Sequence, residues 1–164
     1  MAAARLAHSP VANAVRRVAT LALQGLPTQP LLALLDSDLV LPLEGVDLRR
    51  LRSLCRAAGV RNGRPSTWLE PLVARLRLRS RGPLEVERID ALREELSRLD
   101  AVVEPLTALG RSATPARYRE HLLAAVEALG LPDRVGRCEV PAIATDNLLA
   151  WGAVLEVLEE LVRD

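Results

Sequence analysis

The stretch that decides the fold runs from Ile89 to Leu106 and reads IDALREELSRLDAVVEPL. Its apolar residues return at alternating steps of three and four, at Ile89, Leu92, Leu96, Leu99, Val103 and Leu106. This spacing predicts a long helix with one seam that packs against another helix. We expect the element to open at Pro83. Pro105 removes a backbone donor, so we expect a kink or a break near Val102.

The segment before this helix carries start and stop signals for shorter helices. Ser9 and Pro10 form an N-cap and a first-turn proline, and Gly25 ends the helix that they begin. A second, short helix is predicted over residues 30–37. The segment LVLPLEG, residues 39–45, is predicted to be a loop.

Two more helices are predicted in the arginine-rich region. Asp47 caps the third helix, and Gly59 ends it. Its apolar face comprises Leu48, Leu51, Leu54, Cys55 and Ala58. Thr67 and Glu70 fit a capping box at the start of the fourth helix, with Pro71 tolerated in its first turn. The inward face of this helix comprises Leu69, Leu72, Val73 and Leu76.

The remaining elements are also helical. The alternating segment RLRLRSR, residues 75–81, fits either the end of the fourth helix or a short edge strand, and we favour the helix. Thr114 and Pro115 begin a helix that Gly130 closes, and a loop over residues 132–141 follows. The inward residues of the last helix are predicted to be Leu148, Trp151, Leu155, Leu158 and Val162.

Length and composition agree with this pattern. The chain has 164 residues, and because aromatic residues make up only 2%, Leu, Val and Ala must fill the core. We therefore predict an all-α fold, a single compact bundle of six to eight helices in one domain over residues 1–164. No apolar run reaches transmembrane length, so we expect a soluble, cytoplasmic protein.

The two cysteines lie in no CxxC spacing and are too few for a disulfide framework. Cys55 lies on an apolar helical face and is predicted to be a small buried hydrophobe. A metal site would need Cys55, Cys138, His8 and His121 to converge over long distances. We predict neither a metal nor a cofactor.

Charge divides the chain into two halves. Residues 1–82 carry thirteen arginines against five acids, a net +8, and residues 83–164 carry nine against sixteen, a net −7. The halves either neutralise each other internally or leave the arginines to bind phosphate or an acidic partner, and the sequence leaves both interpretations open. The candidate DNA or partner contacts are Arg49, Arg50, Arg52, Arg56, Arg61, Arg64, Arg75, Arg77 and Arg79.

A rare indole lies within this basic region, in AAGVRNGRPSTWLE, residues 57–70. Beside arginines, Trp68 offers a stacking face for single-stranded nucleic acid. The alternative is a core anchor at the start of its helix, which we favour because an isolated aromatic residue makes a poor stacking platform.

Catalytic patterns are missing from the sequence. The chain has no lysine, which excludes a phosphate-binding P-loop of the usual kind. Adjacent acids such as Glu94 with Glu95, and Glu159 with Glu160, diverge on a helix and are interpreted as solvated faces. His121 has no nucleophile at a meaningful spacing. We expect no independent enzymatic activity.

Four stretches resemble the helicase-like half of AddB-type subunits of ATP-dependent helicase–nucleases, which process DNA double-strand breaks. They are HSPVANAVRRVATLALQG, LLALLDSDLV, LRRLRSLCRAAGVRNGRPSTWLE and TPARYREHLLAAVEALGLPDRV, and the third resembles the family most closely. The family's nuclease site, iron–sulfur cysteines and motor residues have no counterpart in this chain.

This resemblance implies a non-catalytic accessory domain from a longer exonuclease subunit that serves repair and recombination. Such a domain would contact the DNA backbone, or neighbouring helicase and nuclease domains, through its arginines, without a membrane or small-molecule ligand. The alternative is a free-standing helical scaffold that binds an acidic protein or pairs with itself through its last helix.

Overall fold

The computed structural model describes residues 9–80, 85–112, 114–137 and 140–163, in which every regular element is helical. Expectations for His8, Arg81, Pro83 and Cys138 fall outside these residues. In chain order the elements are α1 (Pro10–Leu23), α2 (Thr28–Leu35), α3 (Leu48–Ala58), a 3-10 turn (Pro65–Thr67), α4 (Leu69–Arg79), α5 (Val86–Leu109), α6 (Pro115–Ala128), α7 (Leu131–Val135) and α8 (Pro141–Arg163). The predicted all-α bundle of six to eight helices is confirmed.

Helix α5 lies at the centre and packs against α1, α4, α6 and the 3-10 turn. The predicted seam is confirmed, because its leucines and Val103 are buried and Ile89 packs against the core. The predicted break is wrong, since α5 continues through Pro105. The carbonyl that loses its partner belongs to Ala101, which is exposed to solvent, and the helix ends only a turn later.

Side-chain caps begin three helices where the sequence predicted them. Ser9, Asp47 and Thr114 each accept a hydrogen bond from the backbone N–H three residues ahead, at 3.4, 2.9 and 3.3 Å. Gly59 ends α3 with a φ of 72°, a left-handed conformation that glycine adopts without steric cost. These local signals therefore fix the helix boundaries as expected.

The start of α4 differs from the prediction. Thr67 belongs to the 3-10 turn, and its hydroxyl donates to the Arg64 carbonyl at 2.7 Å instead of capping a helix. Trp68 takes the N-cap position without a side-chain cap, so the predicted capping box is wrong. The 3-10 turn begins at Pro65, and within it the Thr67 and Trp68 amides donate to the carbonyls of Arg64 and Pro65, at 2.9 and 3.0 Å. The segment over residues 75–79 is helical, as favoured.

Two other boundaries also differ. Helix α2 covers Thr28–Leu35, so it begins and ends two residues before the predicted positions. The predicted loop over residues 132–141 contains most of the short helix α7 and the first residue of α8. Gly130, with a φ of 67°, is the residue before α7. The chain turns at this glycine, as predicted, but resumes a helix at once.

The buried face of α8 is rotated from the predicted one. Asn147, Val154 and Leu158 are buried, whereas Leu148 is 53% exposed and Val162 is also exposed. Apolar residues flank this face on both sides, so their spacing alone does not determine which flank meets α1, α6 and α7.

One contiguous hydrophobic core includes residues from α1 to α8. Leucine, valine and alanine fill it, together with Cys55 and Trp68. Across the described ranges, no helix is both long enough and apolar enough to cross a lipid bilayer.

Candidate functional site

The turn between α3 and α4 is attached to the segment that joins α1 to α2. The Thr28 amide donates to the Arg61 carbonyl at 2.9 Å, and the Gly63 amide donates to the carbonyls of Gly25 and Leu26 at 3.3 and 3.2 Å. Gly63 has a φ of 100°, which only glycine adopts readily. These bonds fix Arg61 beside the N-terminus of α2.

Trp68 anchors this turn to the hydrophobic core. Its side chain is 1% exposed, and its indole N–H donates to the Gly63 carbonyl at 3.2 Å. The predicted core anchor is confirmed, and a residue so deeply buried has no free face on which a base could stack.

Arg50 pairs with a buried acid of the protein, although its own side chain is 57% exposed. Its guanidinium pairs with Glu95 of α5, which is only 4% exposed. The other carboxylate oxygen of Glu95 accepts the Asp47 amide at 2.7 Å. The prediction that both Glu94 and Glu95 are solvated is wrong for Glu95. Its position three residues after Leu92 and four before Leu99 could have placed it on the buried seam.

Arg64 forms a second internal pair with α5. Its Nε and Nη2 atoms donate to the two oxygens of Asp100 at 3.2 and 2.6 Å, and it also pairs with Glu104. Burial opposes ionisation of Asp100, but the hydrogen bonds from Arg64 and from the Ser66 amide outweigh it and lower the pKa of this carboxyl. The hydrogen bond to Asp100 raises the pKa of the Arg64 guanidinium.

These two pairs join the basic and acidic halves of the chain, so internal neutralisation accounts for Arg50 and Arg64. Arg49 makes a third contact, with Asp36 at 3.9 Å. The Arg49 side chain is 89% exposed, and an ion pair of this length in water contributes little. It leaves most of the Arg49 charge accessible.

Arg52 and Arg56 meet a neutral partner. The Arg52 Nε and the Arg56 Nη2 both donate to the side-chain oxygen of Gln29, at 3.4 and 3.3 Å. The Gln29 amide nitrogen in turn donates to the Arg52 carbonyl at 3.2 Å. We call these three residues the Gln29 cluster. The cluster was not predicted, because nothing in the sequence signals that α2 lies against α3 at this point.

The other candidates carry no ion pair among the described residues. Arg61, Arg77 and Arg79 are exposed. Arg75 is half-buried, and its Nε atom is buried without a hydrogen-bond partner. We refer to six residues as the unpaired arginines, because no described carboxylate lies within ion-pair distance of them: Arg52, Arg56, Arg61, Arg75, Arg77 and Arg79.

His121 has a neighbour that sequence spacing did not suggest. The Ser112 hydroxyl lies 2.8 Å from its Nδ1 atom and 3.3 Å from the Ala108 carbonyl. The contact joins the start of the α5–α6 connection to α6. The Ser112 hydroxyl thus has hydrogen-bond partners on both α5 and α6, and the contact is a structural tie between the two helices.

Cys55 is buried in the core, and burial raises the pKa of its thiol to about 11. The thiol is therefore protonated and unreactive at neutral pH. The prediction of a buried small hydrophobe is confirmed. Within the described ranges, no three potential ligand side chains are grouped so that they could hold a metal ion.

A cavity of about 500 Å³ opens between the end of α2, the loop after it and the start of α3. Its charged lining residues are Asp36, Asp38, Asp47, Arg49 and Arg134. Because three acids and two arginines line this cavity, its charges do not select clearly for an anion or for a cation.

The described residues form an all-α bundle in which Arg50 and Arg64 pair with acids of α5, whereas the six unpaired arginines have no described carboxylate partner. No protein-family model, curated protein or solved structure matches this chain. The resemblance to AddB-type subunits therefore stays a prediction.

Proposed function

We propose that this chain is a non-catalytic helical domain that contacts the phosphate backbone of DNA through its unpaired arginines. The observation that carries the proposal is that six of the nine candidate arginines have no carboxylate partner among the described residues. Guanidinium groups form charge-assisted, bidentate hydrogen bonds with phosphate, and unneutralised arginines retain that capacity. Backbone contacts of this kind position a protein on DNA without reading its sequence.

The proposal includes the cellular setting that the AddB-type resemblance implies. In that setting the chain is an accessory domain of a helicase–nuclease that repairs double-strand breaks, and it guides DNA or touches neighbouring domains. The free arginines support the DNA contact, and the exposed apolar residues of α8 fit a contact with a neighbouring domain.

The experiment is a titration of labelled single-stranded and duplex DNA with the 164-residue chain at two salt concentrations. We expect binding at low salt that weakens steeply as salt rises. The double variant Arg77→Gln/Arg79→Gln should bind more weakly than wild type. Arg117→Gln/Arg137→Gln is the matched control, because it removes two exposed arginines that lie outside the arginine-rich region, one on α6 and one after α7. Equal binding by the two variants, or no binding at low salt, contradicts the proposal.

A second candidate is self-association through α8. Four apolar residues of this helix are about half exposed or more: Ile143, Leu148, Leu149 and Val157. Exposed apolar residues grouped on one element are typical of protein contacts. Light scattering tests this function: a stable dimer that is insensitive to salt and dissociates in Leu148→Glu/Leu149→Glu supports it, whereas a monomer at all concentrations excludes it.

A further inference from the structure

We infer that the Gln29 cluster is a binding site for one phosphodiester group of the nucleic-acid backbone, with the Gln29 side-chain oxygen occupying the position that a phosphate oxygen takes. The inference rests on the proposed function and deepens it, because it names where one phosphate binds. It also assigns Gln29 a role that its sequence context does not suggest.

The guanidinium groups of the Gln29 cluster converge on one point. The donors from Arg52 and Arg56 reach the same oxygen atom, so their guanidinium groups face one point in space. The two residues are four positions apart on α3 and therefore lie on the same face of the helix. Two guanidinium groups aimed at one acceptor are the arrangement that binds a phosphate oxygen.

The hydrogen bonds from the two arginines to Gln29 are weak. Distances of 3.3 and 3.4 Å lie beyond the usual range for N–H···O hydrogen bonds, and the acceptor is uncharged. Charge-assisted bonds between guanidinium and an anionic oxygen are shorter, at about 2.7–2.9 Å, and roughly twice as strong. An arriving phosphate would therefore displace the amide oxygen with a net gain.

The local charge around the Gln29 cluster is positive. Like charges four residues apart on a helix repel each other, and no described carboxylate relieves this pair. Gln29 is the second residue of α2, whose N-cap, Pro27, provides no side-chain cap. The positive end of the α2 dipole adds to the field of the two arginines. Arg61 is tied by its carbonyl to the Thr28 amide beside them.

The contrast with Arg64 supports this assignment. Arg64 connects two helices and is held by two carboxylates, as a structural ion pair requires. Arg52 and Arg56 are held instead by an amide, which orients both side chains but leaves their charges intact. A merely structural pair would gain more from a glutamate at position 29.

The test compares three variants in binding to fluorescent oligothymidylate at low salt. Gln29→Glu places a carboxylate between the two arginines, so we expect roughly tenfold weaker binding, the value of one hydrogen bond to a charged group. Gln29→Ala removes the amide but keeps both charges, so we expect affinity equal to or above that of wild type. Asn13→Asp makes the same change in net charge beside Arg16 on α1, and should alter affinity by less than about twofold.

The results distinguish a failure of the Gln29 site from a failure of the proposed function. If Gln29→Glu binds as tightly as Asn13→Asp while Arg77→Gln/Arg79→Gln binds weakly, the DNA contact stands and the Gln29 site is overturned. If Gln29→Ala loses as much affinity as Gln29→Glu, the residue is structural and the inference fails. If wild type binds no DNA, the proposed function and the inference fail together.

Two further measurements address misfolding of Gln29→Glu and binding of acidic peptides in place of a phosphodiester. Arg52→Gln/Arg56→Gln removes both donors on the exposed side of α3, and it should weaken binding as Gln29→Glu does even if the latter folds poorly. Polyglutamate serves as a competitor of another class: if it displaces oligothymidylate at equal charge concentration, the site takes acidic peptides and the phosphodiester assignment is wrong.

Discussion

At the residue scale, Glu95 connects the start of α3 to α5. It is a buried carboxylate that satisfies the Asp47 amide at the start of α3 and pairs with Arg50. Asp47 also caps the same helix with its own side chain. The N-terminus of α3 is therefore held both by the Asp47 side chain and by Glu95 of α5.

Replacement of Glu95 tests this role. We expect Glu95→Ala to lower the free energy of unfolding by about 2–3 kcal/mol, because it removes a buried acceptor from a backbone amide and from a guanidinium. Glu94→Ala is the control, since Glu94 is exposed, and it should change stability by less than about 0.5 kcal/mol. Chemical denaturation measures both, and equal effects would contradict the assignment.

Asp100 gives a second prediction, in its dependence on pH. Because its pKa is lowered in the folded state, the carboxylate contributes stability that is present above its ordinary pKa of 3.8 and is lost as pH falls through the folded value. Asp100→Asn should be less stable than wild type by about 1–2 kcal/mol near neutral pH. The difference should shrink as pH falls below 3.8, where the carboxyl of the unfolded chain becomes protonated first, and should vanish once the folded carboxyl is protonated too. A difference that stays constant down to acidic pH would contradict the pairing with Arg64.

At the element scale, the sequence predicted the helices well where a start and a stop signal were both local. The cap at Asp47 and the glycine at Gly59 are examples. The prediction from sequence failed where tertiary packing determines which residues are buried and which helices meet. The burial of Asn147 in place of Leu148, and the approach of Gln29 to α3, depend on how helices lie against each other, and no spacing along one helix encodes this.

Pro105 provides the prediction for α5. The helix tolerates this proline near its end, but one backbone hydrogen bond to Ala101 is missing. We expect Pro105→Ala to raise the free energy of unfolding by about 1–2 kcal/mol, less than the usual cost of an interior proline because the side chain is half-buried. The comparison variant Ser97→Ala, on the exposed side of α5, should gain no more than about 0.5 kcal/mol. A destabilised Pro105→Ala variant would show that the proline is needed for packing.

At the scale of the whole molecule, the arginines of the basic half fall into two groups. Part of the basic half holds the bundle together through Arg50 and Arg64, as the internal interpretation predicted. Arg61, Arg77 and Arg79 are exposed and have no described carboxylate partner, and their contact with DNA is our proposal. Sequence alone gave the number of charges but not their directions, since direction follows from the packing of α3 and α4 against α5.

The dependence of DNA affinity on salt tests the central claim most directly. The slope of log affinity against log salt counts the phosphates that the protein neutralises, at about 0.7 per phosphate for single strands. With six unpaired arginines, we predict a slope between roughly −2 and −4 for wild type, and a shallower slope for Arg52→Gln/Arg56→Gln. A slope near zero, or an unchanged slope in that variant, would contradict the account.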